Sequence, residues 1–243
     1  MSVKMKETRT SKQYDLWAWC YDRTFGVLVR KRQRRAIAQL QPKPGDRVLD
    51  VGVGTGIALN FYPKDVSVVG MDLSKGMLTK AQRKVAEHGL THCNLVQGDA
   101  MLPPFAENSF DHIVITHTIS VVSEPAKLLQ WAQRVVRPGG RIVVLNHFQS
   151  TKPTIAFMEK VMNPLFVWIG WRSDLTLEEC MRGVELNLDY CFKVSLFDVW
   201  RIVVFSKPPA GQAARPAVPV PVLSQPSEPA PMPSGNPSIA LPQ

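Results

Sequence analysis

Along the middle of the chain, short apolar runs rich in β-branched residues alternate with longer stretches whose apolar positions recur every three or four residues, the pattern of strands interleaved with helices. The runs predict strands at Arg47 to Val51, Val66 to Met71, Cys93 to Gln97, Phe110 to Thr116 and Arg141 to Asn146. Helical periods fit Ser74 to His88, with Ser74 as cap and Gly89 just past the end, and Pro125 to Val136, which is expected to stop before Pro138-Gly139-Gly140. Such an alternation implies a parallel sheet with right-handed crossovers. After Asp174 the rhythm changes to "YCFKVSLFD" and "VWRIVVFSK", two apolar runs around a short turn, which predict an antiparallel hairpin at one sheet edge.

Both ends depart from this pattern. Eleven of the 36 residues after Lys207 are proline, and a segment so poor in large apolar residues cannot offset its ordering entropy, so a disordered tail over residues 208–243 is expected. Near the other end, Tyr14, Trp17, Tyr21, Phe25 and Leu28 share one helix face, unless Gly26 breaks the helix, and Arg30, Lys31, Arg32, Arg34 and Arg35 follow. The formal charge of +9 is concentrated here: residues 1–43 carry +8, residues 44–207 carry +1 and the remainder is neutral. An apolar, tryptophan-bearing stripe beside a basic cluster suits insertion into an anionic membrane surface through residues 1–35, or equally a lid helix against a catalytic domain. The implied organisation is a basic helical segment (1–43), a catalytic domain (44–207) and a tail (208–243).

Cys20, Cys93, Cys180 and Cys191 form no C-x-x-C pair and lack zinc-ligand spacing, so neither a disulfide framework nor a metal site is expected, and a reduced, cytoplasmic setting fits. The polar first twelve residues do not form a signal core, and the longest apolar run, Val161 to Trp171, is interrupted by Asn163, Pro164 and Gly170. Peripheral association with the inner face of a membrane is therefore expected rather than a span. Around that run, Phe157, Met158, Val161, Met162, Leu165, Phe166, Trp168 and Trp171 either line a slot for acyl chains or form buried core.

The chemistry begins in "VLDVGVGTG", where an acid closes the first strand and Gly52, Gly54 and Gly56 follow at every second position. Glycines there permit positive φ and a close backbone approach to a ligand, and a following helix is expected to offer its N-terminal amides. The dinucleotide spacing G-x-G-x-x-G fails, because Ile57 stands at its third glycine. Asp50 would repel a pyrophosphate but suits a ligand carrying an amino group. Asp72 ends the second strand in "VVGMDLS", where an acid accepts both ribose hydroxyls, and Asp99 in "VQGDAMLPPF" follows the third, within reach of an adenine amino group. Three acids, each just past a successive strand, describe a pocket for an adenosyl amino acid.

This constellation resembles the class I S-adenosylmethionine-dependent methyltransferases. "VLDVGVGTG", "VVGMDLS", "GDAMLPPFAENSFDHIVITHTI" and "RVVRPGGRIVV" follow that family's ordered motifs over residues 47 to 145, with Val53 where many relatives carry Cys or Ala. The resemblance implies a Rossmann-like α/β fold: a seven-stranded sheet with an antiparallel last strand, helices on both faces and an N-terminal helical lid. It assigns Asp50, Gly52, Gly54, Thr55 and Gly56 to the methionine end of S-adenosylmethionine, Asp72 and Leu73 to the ribose, Asp99 and Ala100 to the adenine, and Met77 and Thr116 to the surrounding pocket.

"YDLWAWCYDRTF", "LNHF" and "GWRSD" are further similar to bacterial phosphatidylethanolamine N-methyltransferases of the soluble, membrane-associating type, which carry the head group in up to three rounds to phosphatidylcholine. A primary ammonium with a pKa of about 10 must lose a proton before attack, costing roughly 4 kcal/mol at pH 7. His117 and His147, at the ends of the fourth and fifth strands, are candidate bases. Tyr14 and Tyr21 are candidates to orient the amine and to stabilise the methylated ammonium by cation–π attraction, and Arg172 to bind lipid phosphate. Alternatives are a quinone or other small lipid as acceptor, a nucleic-acid methyltransferase, disfavoured because "THTIS" replaces an N-P-P-Y-like element, and a binding module without transfer.

Overall fold

The structure, a computed structural model, describes residues 29–150, 154, 157–159, 161–163, 172–194 and 200–215. The N-terminal stripe through Leu28, with Tyr14 and Tyr21, and the chain beyond residue 215 lie outside them.

Seven strands form one sheet: β1 (Arg47–Val51), β2 (Ser67–Asp72), β3 (Cys93–Gln97), β4 (Phe110–Thr116), β5 (Val136–His147), β6 (Asn187–Lys193) and β7 (Trp200–Ser206), in the order β3-β2-β1-β4-β5-β7-β6. β1 to β5 pair in parallel, whereas β7 runs antiparallel to both β5 and β6. The apolar runs are nearly continuous because the central strands are covered on both faces. Leu49, Val51, Ile113, Ile115, Ile142 and Val144 join one core layer, and Val48, Val114, Val143 and Leu145 join the other.

Helices supply the cover. α1 (residues 29–38) sends Ala36 and Ile37 into the second layer, α2 (Lys75–Glu87) adds the half-buried Leu78 and Val85, and α3 (Pro125–Val135) sends Leu128, Leu129, Trp131, Ala132 and Val135 into the first. Each fully buried Leu there contributes about 1.5–3 kcal/mol. The cap of α2 forms as its sequence predicts: Ser74 Oγ accepts from the Met77 amide at 3.1 Å, and Gly89 adopts φ +60° beyond the end. α4 (Leu177–Cys180) is a single turn capped by Thr176.

Two expectations are corrected. No α-helix follows the glycine turn; the chain makes turns and one 3₁₀ turn, Leu59–Phe61, before Pro63. Gly52, Gly54 and Gly56 hold φ of +76°, +58° and +75°, incompatible with helix, and too few residues remain before the proline to build one. Second, β5 begins at Val136 rather than Arg141, directly after α3. Pro138-Gly139-Gly140 sits in an irregular stretch where the register against β4 shifts, and Gly140 lies so close to the Asp111 carbonyl that a Cβ would collide with it.

The sheet order sets the site. From β1 the chain winds outward through β2 and β3, then returns to place β4 on β1's other side, which makes a topological switch point at the carboxyl ends of β1 and β4.

Candidate active site

The carboxyl ends of β1, β2 and β3 lie side by side and are stitched together by backbone and carboxylate bonds. Gly52 and Val53 donate their amides to the Met71 carbonyl, at 2.7 and 3.0 Å, and the Gly54 amide donates to Asp72 Oδ2 at 2.8 Å. Asp72 Oδ1 accepts from the Ser74 amide at 2.9 Å. On the other side, Gly98 donates its amide to the Asp72 carbonyl at 3.0 Å, and Gln97 Nε2 donates to the Leu73 carbonyl. Asp99 follows, its Oδ1 accepting from the Met101 amide at 2.8 Å. The three acids predicted from sequence therefore share one rim, with the exposed Leu73 between the second and third.

Asp50 is the buried member. Its Oδ2 accepts from the Tyr62 hydroxyl at 2.9 Å, while Oδ1, equally buried, has no hydrogen-bond partner among the described residues. Burial pushes its pKa up to about 7; the Tyr62 bond opposes that rise and the Asp72 charge adds to it. A buried carboxylate oxygen left without a donor fits a ligand ammonium, so the residues present suit the amino-acid end of S-adenosylmethionine.

The turn itself is tight. A Cβ on Gly52 would collide with Thr118 Oγ1, which shares its proton between the Val51 and Thr116 carbonyls at 3.1 Å each. Thr55 is buried and accepts from Lys84 Nζ at 3.3 Å; Met77 and Thr116 are buried, and Ala100 packs against the core.

At the ends of β4 and β5 the two candidate histidines flank one indole. His117 adopts a left-handed φ of +58°, donates its amide to the Leu145 carbonyl at 2.8 Å and meets Trp200 edge-on at 5.6 Å. His147 is the β-ladder partner of Trp200 and brings Nε2 to 3.3 Å from Glu159 Oε1. Glu159 Oε2 accepts from the Ser150 amide at 2.8 Å, and Arg32 of α1 lies 4.4 Å over the Trp200 ring.

Around Glu159 the chain is helical at residues 157–159 and 161–163. Glu159 and Asn163 face inward, Asn163 accepting from the Ser173 amide at 3.0 Å, while Phe157, Met158, Val161 and Met162 are 69, 65, 59 and 42% exposed. The buried-core reading does not hold for these four side chains. Arg172, expected to meet lipid phosphate, is itself buried: Nε donates to Asp174 and the two Nη atoms pair with Glu179 Oε1 and Oε2 at 2.9 and 3.1 Å. Its fork staples the chain to α4 and is filled by carboxylates.

Tyr62, Glu159 and Trp200 are site-side residues that sequence reasoning missed. Each sits in a stretch without a motif; the only signal was a lone acid within the apolar "FMEKVMN" and an aromatic residue just past the glycine turn.

Comparison with known proteins adds a second line. A family described as a methyltransferase domain matches residues 49–144. The chain is 39% identical over 185 residues to a phosphatidylethanolamine N-methyltransferase of Cereibacter sphaeroides, covering 76% of this chain and 90% of that one. It is 36% identical over 148 residues to a demethylmenaquinone methyltransferase of Renibacterium salmoninarum, covering 59% and 60%. Among solved structures, a SAM-dependent methyltransferase from Methanosarcina mazei shares the fold with a TM-score of 0.57 at 18% identity, covering 69% and 95%.

Proposed function

The chain belongs to the class I S-adenosylmethionine-dependent methyltransferases, and from that premise we propose that it methylates the amine of phosphatidylethanolamine at a membrane surface, in successive rounds toward phosphatidylcholine. The observation that carries this reading is the reach of the 39% identity, which extends over 185 residues and so runs well outside the stretch of the shared methyltransferase domain, 49–144. The exposed Phe157, Met158, Val161 and Met162 support a lipid-facing surface beside the acceptor side of the site. Among the described residues no helix is long and apolar enough to cross a membrane, in keeping with peripheral association.

When bound, the cofactor supplies a methyl group on a positively charged sulfur. In this reading Asp50 and the turn of Gly52, Gly54, Thr55 and Gly56 hold its methionine end, Asp72 with Leu73 its ribose, and Asp99 with Ala100 its adenine, Met77 and Thr116 closing the pocket. His147 takes up the proton that the acceptor amine must shed, and Glu159, 3.3 Å away, stabilises the imidazolium so formed. His117 lines the same edge. Tyr14 and Tyr21 act from a lid ahead of α1, a helix whose Ala36 and Ile37 already belong to the core of the catalytic domain, and a tail follows that domain.

A second acceptor class is favoured by a specific observation, the 36% identity to a demethylmenaquinone methyltransferase. Incubating the purified chain and labelled cofactor with vesicles carrying either phosphatidylethanolamine or demethylmenaquinone separates the two. Mono-, di- and trimethylated phospholipid is expected; label in the quinone alone would overturn the phospholipid reading.

A further inference from the structure

We propose that Tyr62 is a positioning residue for the amino-acid end of the cofactor: its hydroxyl holds Asp50 Oδ2, so that Oδ1 remains as the acceptor for the ligand's ammonium. The inference rests on Asp50 meeting the methionine end and uses nothing about the methyl acceptor, so its failure would leave the phospholipid reading untouched.

Tyr62 follows the 3₁₀ turn Leu59–Phe61, and its ring is seated in the core layer with Val53, Ala58, Leu59, Leu90 and Cys93. It is 4% exposed, and among the described residues its hydroxyl makes one hydrogen bond, to Asp50. A ring anchored on its apolar sides with a single polar atom turned to a carboxylate fixes that carboxylate's rotation. A carboxylate rotating freely would present its oxygens interchangeably, and the ligand would have to order it on binding.

The same contact sets a proton linkage. The groups facing Asp50 are the Tyr62 hydroxyl from the 3₁₀ turn, the Asp72 carboxylate from β2 and the Cys93 thiol from β3. The thiol is pushed up to about 12 and the phenol well above its ordinary range, both chiefly by burial, so both stay protonated in the neutral range and neither neutralises Asp50. Without ligand, Asp50 takes up a proton as the pH falls through about 7. An ammonium-bearing ligand requires the charged carboxylate and must expel that proton, so its affinity climbs as pH rises through this range. Tyr62 stabilises the charged form and thereby holds the midpoint down.

Titration calorimetry across about pH 5.5 to 8.5 tests this, with S-adenosylmethionine and with 5′-methylthioadenosine, which keeps the nucleoside and sulfur but lacks the amino-acid end. For the unmodified chain, S-adenosylmethionine affinity should climb through neutrality and fall again above about pH 8 as the ligand's own α-amino group deprotonates, whereas 5′-methylthioadenosine should show neither arm. Tyr62→Phe keeps the ring. It should weaken S-adenosylmethionine about tenfold at pH 7, move the acid arm upward by about one unit and leave 5′-methylthioadenosine unchanged. Asp50→Asn should lose the acid arm altogether. Equal weakening of both ligands by Tyr62→Phe, including loss of both through misfolding, would make Tyr62 a structural residue only and overturn the proposal, as would an acid arm that stays in place.

Discussion

The Gly54 amide donates to Asp72 Oδ2 at 2.8 Å, so the acid that ends β2 also closes the glycine turn that ends β1. Its other oxygen caps the approach to α2 through the Ser74 amide at 2.9 Å. One carboxylate thus orders two loops. Asp72→Ala removes both ties and, on the proposed cofactor assignment, the ribose acceptor with them, and charge-assisted bonds of this kind contribute about 1.5–3 kcal/mol. The expected result is a cofactor dissociation constant raised about ten- to hundredfold at that magnitude, read by calorimetry. An unchanged constant would remove Asp72 from the ribose.

Gly52→Ala separates two causes of strain at one position. The new methyl would collide with Thr118 Oγ1, and φ of +76° lies where L side chains are disfavoured by about 1–2 kcal/mol. Pairing Gly52→Ala with Thr118→Ala removes the collision and leaves the backbone term. Urea unfolding should therefore show a larger loss from Gly52→Ala in the unmodified chain than in the Thr118→Ala background, where about 1–2 kcal/mol should persist. Equal losses would mean that Thr118 simply moves aside.

How much of this was readable beforehand follows from the range over which each feature is encoded. β1, β3 and β4 begin and end where the apolar runs do, because burial on both faces and flanking turns are written locally. The early start of β5 was not, since Pro138-Gly139-Gly140 ordinarily ends a strand and is tolerated here only through a register shift against β4. The three rim acids were legible because each lies at the carboxyl end of its own strand, Asp50 and Asp72 within β1 and β2 and Asp99 just past β3. The Tyr62 contact to Asp50 and the Glu159 contact to His147 depend on how loops fold back, and the filled fork of Arg172 depends on Glu179 arriving from the next turn. No local pattern carries those meetings.

At the opposite end of the sheet, His112 predicts a pH effect on stability. Its Nδ1 accepts from the Arg141 amide at 3.2 Å, so the proton sits on Nε2, which donates to Asp46 at 3.2 Å. Burial lowers its pKa, the Asp46 charge opposing. A histidine whose folded pKa lies below the unfolded value of about 6.5 contributes stability above that pH and loses it as the pH falls below. Asp50 acts in the opposite sense, since its raised pKa favours the folded state as the pH falls through about 7. Comparing the chain with His112→Gln cancels the Asp50 contribution. The stability difference between them should shrink from pH 7 toward pH 5 in urea titrations; a difference that grows on acidification would reverse the assignment.

The His147–Glu159 pair predicts a kinetic split. Glu159→Gln keeps the size of the side chain and removes the charge that would stabilise a protonated His147. Cofactor affinity should be unchanged, while kcat on phosphatidylethanolamine vesicles falls about tenfold or more, within the span ascribed to general acid–base groups. His147→Gln should lower kcat at least as far, and the double variant should lose little beyond it, because both substitutions remove one function. Fully additive losses would show that the two residues act separately.

The outward face of Phe157, Met158, Val161 and Met162 calls for an accounting, because four large apolar side chains on consecutive helical turns are costly to leave in water and each would gain about 1.5–3 kcal/mol on full burial. If that face meets lipid, replacing all four by Ser should reduce sedimentation with phosphatidylethanolamine-containing vesicles by about tenfold or more, since even partial burial of the set exceeds one factor of ten. The inward Glu159 and Asn163 are untouched by these changes, so cofactor affinity should hold. Salt distinguishes this contact from the basic segment at residues 30–35, because any attraction of that segment to anionic lipid would be screened within about 10 Å at 0.1 M ionic strength. Binding that survives high salt in the parent chain and disappears in the four-serine variant would assign the face to lipid. Salt-resistant binding of equal strength in both would place the apolar contact elsewhere on the chain.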